Sequence, residues 1–217
     1  MKSDIYLLMG SAGSGKGTQA ERLIAEYGFA YVESGGLIRA KSKEDSPLGR
    51  RIKYNDDLGR HAPDTVITAL IIEYMSRLEE QNAGAKKPLL VDGFPRTLPQ
   101  VDMLDQVLKY FDRDPSKLKA LWIKVPTEVA EQRLLNRAVC NQCKAVYASR
   151  DVKICSKCGG AVSPRVYDTV EGIRDRLTFF PKHTMPVLER FRGEGRLVEI
   201  DGMGTLDEVW ARVQAAL

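Results

Sequence analysis

A glycine-rich turn near the start of the chain carries the residues with the clearest chemistry. Residues 10–18 read G-S-A-G-S-G-K-G-T, between an apolar run at 5–9 and an amphipathic run at 19–27. A strand, a glycine loop and a helix in this order form a phosphate cradle, because backbone N–H groups and the helix N-terminus point at the anion. Lys16 adds a full positive charge. The turn therefore predicts a nucleoside triphosphate site.

A second turn combines an acid, a tight Gly/Pro bend and an arginine. Residues 89–97 read L-L-V-D-G-F-P-R-T, so Asp92 ends an apolar run and Arg96 follows the bend. A carboxylate at this place suits Mg²⁺ bound through water, and a guanidinium can fork onto phosphate. Ligands of parallel sheets bind beyond the carboxyl ends of the strands. We therefore expect both turns to face one pocket.

All four cysteines of the chain lie in one segment, as two C-x-x-C pairs separated by eleven residues: Cys140, Cys143, Cys155 and Cys158. This spacing predicts one tetrahedral metal site, with zinc as the first choice. Iron and cobalt stay open, because thiolates bind them too. Four thiolates leave no open position, so we expect a structural metal that pins a short hairpin too small to have a core of its own.

Arginines gather on both sides of the cysteine segment. Arg133 and Arg137 are four residues apart in a helix predicted over 126–138, and Arg165, Arg174 and Arg176 follow the segment. Arginines on helices are normally solvated, but their gathering around one segment indicates anion binding.

Alternating strands and helices must position these groups. Apolar runs predict strands at 5–9, 29–32, 89–91, 120–125 and 197–200, with helical patterns between them. This order is typical of an α/β fold with a parallel five-stranded sheet covered by helices on both faces. Pro181 and Pro186 are expected to divide a helix over 168–192.

Composition narrows the class of protein. The chain has 217 residues, 43% hydrophobic and 29% charged, with a net charge of +4. These values suit one sizeable domain and give no reason to expect a nucleic-acid or membrane partner. With no signal-peptide pattern and no long apolar stretch, we expect a cytoplasmic location. We also expect a monomer.

Several motifs together resemble the adenylate kinase family. They are G-S-A-G-S-G-K-G-T-Q at 10–19, E-S-G-G-L-I-R at 33–39, D-G-F-P-R-T-L-P-Q at 92–100, the arginine pair, the cysteine pairs and I-D-G at 200–202. The G-K-G-T form of the loop, with Gly17 after the lysine, is the form that this family uses. The chain is most similar to the long form, whose lid can carry a metal.

The resemblance implies reversible phosphoryl transfer from Mg-ATP to AMP, giving two ADP. It implies a P-loop core at 1–32, 65–136 and 169–217, an AMP-binding insertion at 33–64 and a lid at 137–168. The implied ATP-binding residues are Gly10, Gly13, Ser14, Gly15, Lys16, Gly17, Thr18, Arg133, Arg137, Val146, Tyr147 and Gly204. The implied AMP-binding residues are Ser34, Gly35, Arg39, Arg60, His61, Ala62, Gly93, Phe94, Arg96, Gln100, Arg165 and Arg176. Catalysis would rest on Lys16, Arg96, Arg133, Arg137, Arg165 and Arg176.

Some positions depart from the family pattern. They are Ala12, Ser34, Gly36, the His61-Ala62 pair and Tyr167. His61 and Ala62 would border the acceptor base, so they bear on the choice of acceptor. Gln100 favours adenine, because a side-chain amide matches its donor and acceptor edge.

Three alternatives stay open at this point. A kinase of the same fold could act on UMP, CMP or GMP. A nucleic-acid-dependent ATPase could use a basic cysteine ribbon, for which the candidates are Lys144, Arg150, Lys153 and Lys157 with Tyr147. A binding protein without turnover could sense adenylates.

Overall fold

The computed structural model describes residues 3–57, 62–82, 86–165 and 168–217. A five-stranded parallel sheet forms the centre, and a three-stranded antiparallel sheet stands apart from it. The strands are β1 (Ile5–Met9), β2 (Ala30–Glu33), β3 (Leu89–Asp92), β4 (Leu118–Lys124), β5 (Ala138–Cys140), β6 (Val146–Tyr147), β7 (Val162–Ser163) and β8 (Leu197–Asp201). The parallel sheet has the order β2-β3-β1-β4-β8, which confirms the predicted fold class.

Helices connect the strands. They are α1 (Lys16–Tyr27), α2 (Ser34–Lys41), α3 (Pro47–Asp57), α4 (Asp64–Gln81), α5 (Leu98–Tyr110), α6 (Thr127–Asn136), α7 (Val170–Phe179), α8 (Met185–Gly193) and α9 (Leu206–Ala216). A 3₁₀ turn at Pro115–Lys117 precedes β4. A π-helical segment, Phe180–Thr184, separates α7 from α8, so the expected division near Pro181 is confirmed. Within the described ranges, no helix is both long and apolar enough to cross a bilayer.

Side chains of β1 alternate between two hydrophobic clusters. Leu7 belongs to the cluster that includes residues of α4, α5 and α8, and Leu8 to the one that includes residues of α1 and α9. Every residue of β1 is buried, because both faces of this central strand are covered. Tyr6 also donates a hydrogen bond to the terminal residue's carbonyl, Leu217 O, at 2.8 Å. The central strand that leads into the glycine loop is therefore held rigidly.

Two local predictions were wrong. The helix expected over 126–138 ends at Asn136, and Arg137 has extended backbone angles, because the next residue begins β5. The cysteine segment is more than a hairpin: β5 pairs with both β6 and β7. It also has a small apolar cluster of its own, made of Ala138, Cys140, Ala145, Cys155 and Val162.

Candidate active site

The glycine loop packs tightly between β1 and α1. Gly10 has φ 145°, and a Cβ there would lie 2.6 Å from the carbonyl oxygen of Ile123. Gly13 has φ 83°, and a Cβ there would lie 2.4 Å from the carbonyl oxygen of Ala130. Both positions require glycine for their conformation and for the close approach of another backbone. The loop is thus fixed against β4 and α6.

Lys16 begins α1 and folds back over the loop. Its Nζ donates to the carbonyl oxygens of Gly10 at 2.7 Å and Ser11 at 2.8 Å. Burial lowers the pKa of Lys16 to about 8, although nearby Asp92 opposes that shift. The Oγ of Ser14 is buried and has no hydrogen-bond partner among the described residues. A buried cation and an unpaired hydroxyl in a glycine loop fit a phosphate ligand.

Asp92 lies beside this loop because β3 pairs with β1. Leu8 is opposite Asp92 in the sheet register. The carboxylate is buried and accepts a hydrogen bond from Tyr31 Oη at 3.2 Å. Burial raises the pKa of Asp92, and the charge of Lys16 opposes that rise. A buried carboxylate next to a phosphate cradle fits the oxygen ligands of Mg²⁺, which takes one or two carboxylates together with phosphates and water.

The bend after β3 brings together three residues that were predicted to bind AMP: Ser34, Gly93 and Arg96. Arg96 Nε donates to Gly93 O at 2.7 Å, and Ser34 Oγ donates to the same oxygen at 2.7 Å. Gly93 has φ 77°, and a Cβ there would lie 2.7 Å from Ser34 Oγ. Burial lowers the pKa of Arg96, the charges of Asp92 and Glu33 oppose that shift, and those of Arg39 and Arg176 add to it. The Arg96 guanidinium therefore lies near two carboxylates as well as two other arginines.

Gln100 lies in a network that links α4 to α5. Its Oε1 accepts from the backbone N–H of Arg96 at 2.7 Å, and its Nε2 donates to Asp64 Oδ1 at 2.6 Å. Thr97 Oγ1 donates to Asp64 Oδ2 at 2.9 Å. Ala62, which was also predicted to bind AMP, lies two residues before Asp64, the first residue of α4.

Asp168 organises the arginines that flank the cysteine segment. Its side chain is 0% exposed and accepts two hydrogen bonds from Arg137, both at 2.8 Å, and one from Arg176 at 2.7 Å. Burial acts to raise the pKa of Asp168, but the hydrogen bonds from Arg137 and Arg176 outweigh it and lower the pKa. Sequence reasoning missed this residue. The only signal in the sequence was a single acid two residues before α7, the helix that carries Arg174 and Arg176.

The other predicted arginines have different surroundings. Arg133 donates to backbone oxygens, Gly202 O at 3.2 Å and Ser14 O at 3.5 Å, so it connects α6 with the glycine loop. Burial, together with Arg137 and Arg39, lowers the pKa of Arg165 to about 10. Asp168 and Glu33 oppose this shift, so Arg165 lies near carboxylates as well as near Arg137 and Arg39.

The four cysteine sulfurs form one cluster. All lie within 4.8 Å of one another, and the Cys140–Cys158 and Cys143–Cys155 pairs are 3.5 Å apart. Ligands at about 2.3 Å from a tetrahedral zinc are about 3.8 Å apart, so these sulfurs fit such an ion. Tyr147, expected near ATP, donates its hydroxyl to Cys155 Sγ at 3.1 Å and accepts from Ser156 N at 2.9 Å.

The remaining predicted residues lie around these groups. Arg39 pairs with Glu33 at 2.7 Å, and Gly35 lies against Arg39. Val146 is exposed on β6, whereas Phe94 is buried. Gly17 and Thr18 are in the first turn of α1, Gly15 precedes it, and Gly204 has φ 101°. Arg60, His61 and Tyr167 lie outside the described residues.

These features define a class of protein. A parallel sheet whose central strand leads through a glycine loop into a helix is a P-loop nucleoside triphosphate-binding fold. The turn after β3 places a second buried cation, Arg96, near the glycine loop.

Sequence comparison identifies the family. The model described as "Adenylate kinase" matches residues 8–196. The chain is 35% identical to the adenylate kinase of Carboxydothermus hydrogenoformans over 97% of this chain and 98% of that protein. It is 34% identical to that of Methanosarcina barkeri over 97% of both, and 32% identical to that of Archaeoglobus fulgidus over 97% of this chain and 96% of that one. The chain belongs to the adenylate kinase family, which confirms the resemblance seen in the sequence.

Proposed function

We propose that the protein reversibly transfers the terminal phosphoryl group of Mg-ATP to AMP, giving two ADP. One observation carries this proposal: the Lys16 loop, the Asp92–Arg96 bend and the arginines held by Asp168 gather at one edge of the sheet. Family membership favours AMP over UMP, CMP or GMP as acceptor.

The glycine loop is the proposed ATP phosphate site. Backbone N–H groups of residues 10–18 cradle the phosphates, and Lys16 neutralises charge on the transferring group. The positive end of α1 adds to that field. Val146, Tyr147 and Gly204 border the nucleoside. Arg133 donates to the backbone oxygens of Ser14 in the loop and of Gly202 after β8, and these bonds keep the loop in position.

The bend after β3 is the proposed AMP site. Arg96 and Arg39 bind the AMP phosphate, while Ser34, Gly35, Gly93 and Phe94 shape the pocket. Gln100 reads the base, together with the segment 60–62. Glu33 holds Arg39 in the present structure, so phosphate binding has to compete with that ion pair.

Charge stabilisation is the proposed source of catalysis. Phosphoryl transfer has a loose transition state with charge on its equatorial oxygens, so it needs positioned cations and no covalent nucleophile. Arg96, Arg137, Arg165 and Arg176 supply these charges, and Asp168 fixes two of them. When bound, Mg²⁺ neutralises phosphate charge, with Asp92 as the residue that holds it through water.

Two insertions are proposed to close over the site. Residues 33–64 would move with AMP, and residues 137–168 would form a lid over ATP that excludes water. A structural zinc in the cysteine cluster would keep the lid rigid. The lid segment has an apolar cluster of its own, which supports the proposal that it moves as a separate unit. Thiolate ligands and nucleotide substrates suit the cytoplasm as the proposed location.

An acceptor panel tests the proposal. With Mg-ATP, we expect ADP formation to be fastest with AMP and much slower with GMP, UMP or CMP. Preference for UMP or CMP would replace the substrate assignment, and ATP turnover that responds to oligonucleotides and not to AMP would support the nucleic-acid alternative. Lys16→Ala should nearly abolish transfer and leave the fold intact, since the packing of Gly10 and Gly13 against β4 and α6 remains when the two hydrogen bonds from Lys16 to the loop are lost.

A further inference from the structure

The amide of Gln100 has only one favourable orientation. Its Oε1 faces the backbone N–H of Arg96 at 2.7 Å, and that group can only donate. Its Nε2 faces Asp64 Oδ1 at 2.6 Å, and an ionised carboxylate can only accept. Rotating the amide by a half turn would place two donors together and two acceptors together. A glutamine amide is ambiguous in many proteins, but here its neighbours determine it.

The carboxylate of Asp64 bonds to Gln100 and Thr97 and does not cap its own helix. It lies in the first turn of α4, whose N-cap is Pro63 and has no side-chain cap. Both carboxylate oxygens instead reach α5, where Oδ1 accepts from Gln100 and Oδ2 accepts from Thr97. The second bond prevents the carboxylate from rotating away. Gln100 is 2% exposed, so water does not readily compete for its amide.

The fixed orientation leaves a defined pair of groups for a ligand. A glutamine amide has two N–H donors and two acceptor lone pairs, and the network uses one of each. One lone pair on Oε1 and one N–H on Nε2 remain. Adenine offers an amino donor at C6 beside a ring nitrogen acceptor, which matches this pair. A 6-oxopurine has an acceptor at C6, so its oxygen would meet Oε1.

We propose that Asp64 is a positioning residue that makes the acceptor site select 6-aminopurine over 6-oxopurine nucleotides. It acts by fixing the amide of Gln100, with the backbone of Arg96 as the second constraint. This inference rests on the proposed function, in which Gln100 reads the acceptor base.

Asp64→Asn tests the inference. The substituted amide can present either a donor or an acceptor to Gln100, and the Thr97 hydroxyl can adapt to both, so only the backbone N–H of Arg96 still opposes a turned Gln100 amide. We expect the ratio of kcat/KM for AMP to that for IMP to fall at least about tenfold, with the IMP value rising in absolute terms. A merely structural role would lower both values together and leave the ratio unchanged.

Matched variants separate the possible outcomes. Glu128→Gln removes an exposed acid from the first turn of α6, which is not part of this network, and should keep the wild-type ratio. Asp64→Ser, whose hydroxyl also donates or accepts, replaces Asp64→Asn if the latter does not fold, and should lower the ratio in the same way. Gln100→Leu should abolish discrimination.

Failure of the inference differs from failure of the proposed function. If the wild-type protein does not phosphorylate AMP, the proposed function itself is wrong. If Gln100→Leu lowers the AMP-to-IMP ratio but both Asp64 variants retain it, AMP is the substrate and the role of Asp64 is overturned. An unchanged ratio in Gln100→Leu would also overturn it, because the amide would not read the base.

Discussion

Asp168→Asn is the substitution from which we expect the largest combined effect on stability and turnover. The Asp168 side chain is 0% exposed and accepts three hydrogen bonds of 2.7–2.8 Å from Arg137 and Arg176. Removing one partner of a buried charge pair costs about 3–5 kcal/mol. The side chains of Arg137 and Arg176 are 16% and 28% exposed, so water offsets part of the loss. We therefore expect the unfolding free energy to fall by about 2–3 kcal/mol.

Calorimetry and steady-state kinetics measure the two consequences. For a chain of this size, the loss corresponds to a melting temperature about 4–12 °C lower. Turnover should fall about 10- to 100-fold, because Arg137 and Arg176 lose the anchor that fixes their positions. Asp175→Asn is the matched control, since Asp175 is an exposed acid beside Arg176 on the same helix. It should change neither quantity appreciably.

Acid titration gives an independent check on Asp168. The pKa of Asp168 is lowered in the folded protein. Its contribution to the unfolding free energy is therefore fully present above the pKa of the unfolded chain, about 3.9, and is lost as pH falls through the pKa of the folded protein. The stability difference between the wild type and Asp168→Asn should therefore be constant near neutral pH and shrink below about pH 4. Equal melting temperatures and equal turnover at pH 7 would refute the role given to Asp168.

Three further predictions concern the loop, the metal and the lid. Because burial lowers the pKa of Lys16 to about 8, kcat/KM for ATP should fall above about pH 8, and a flat profile to pH 10 would contradict this. Replacing Cys155 and Cys158 by Ser should release the metal and lower the melting temperature, as mass spectrometry and calorimetry would detect; an unchanged melting temperature would contradict a structural role. Glu21 of α1 pairs at 3.3 Å with Lys157, which lies between two of the clustered cysteines, so the ion pair joins α1 to the cysteine segment. Glu21→Lys should raise KM for ATP about two- to fivefold. Adding Lys157→Glu should restore the wild-type KM. Failure of that rescue would exclude the pair from lid closure.

The sheet and the phosphate loop could be predicted because their signals are local. The central strands β1, β3 and β4 are largely buried and read as apolar runs. All five strands, including the less buried β2 and β8, lie within about two residues of the predicted runs. The loop is recognised from glycines and Lys16 between a strand and a helix. The C-x-x-C spacing likewise predicted a cysteine cluster that the structure contains.

The parts that could not be predicted depend on contacts between distant residues. Arg137 leaves the helical path because β5 pairs with β6 and β7, which the helical pattern of 126–138 does not reveal. Asp168 meets Arg137 across 31 residues, and Asp64 meets Gln100 across 36. A single acid carries no periodic signal, so its partner is known only once the fold has brought the two together.

The most direct test of the account is the stoichiometry of ATP consumption. With Mg-ATP and AMP, the protein should form two ADP for each ATP consumed, with no inorganic phosphate released, because the closed site transfers the phosphoryl group to AMP and excludes water. Without AMP, ATP should remain essentially intact. Release of one inorganic phosphate for each ATP, with or without AMP, would show an ATPase and contradict the proposed function.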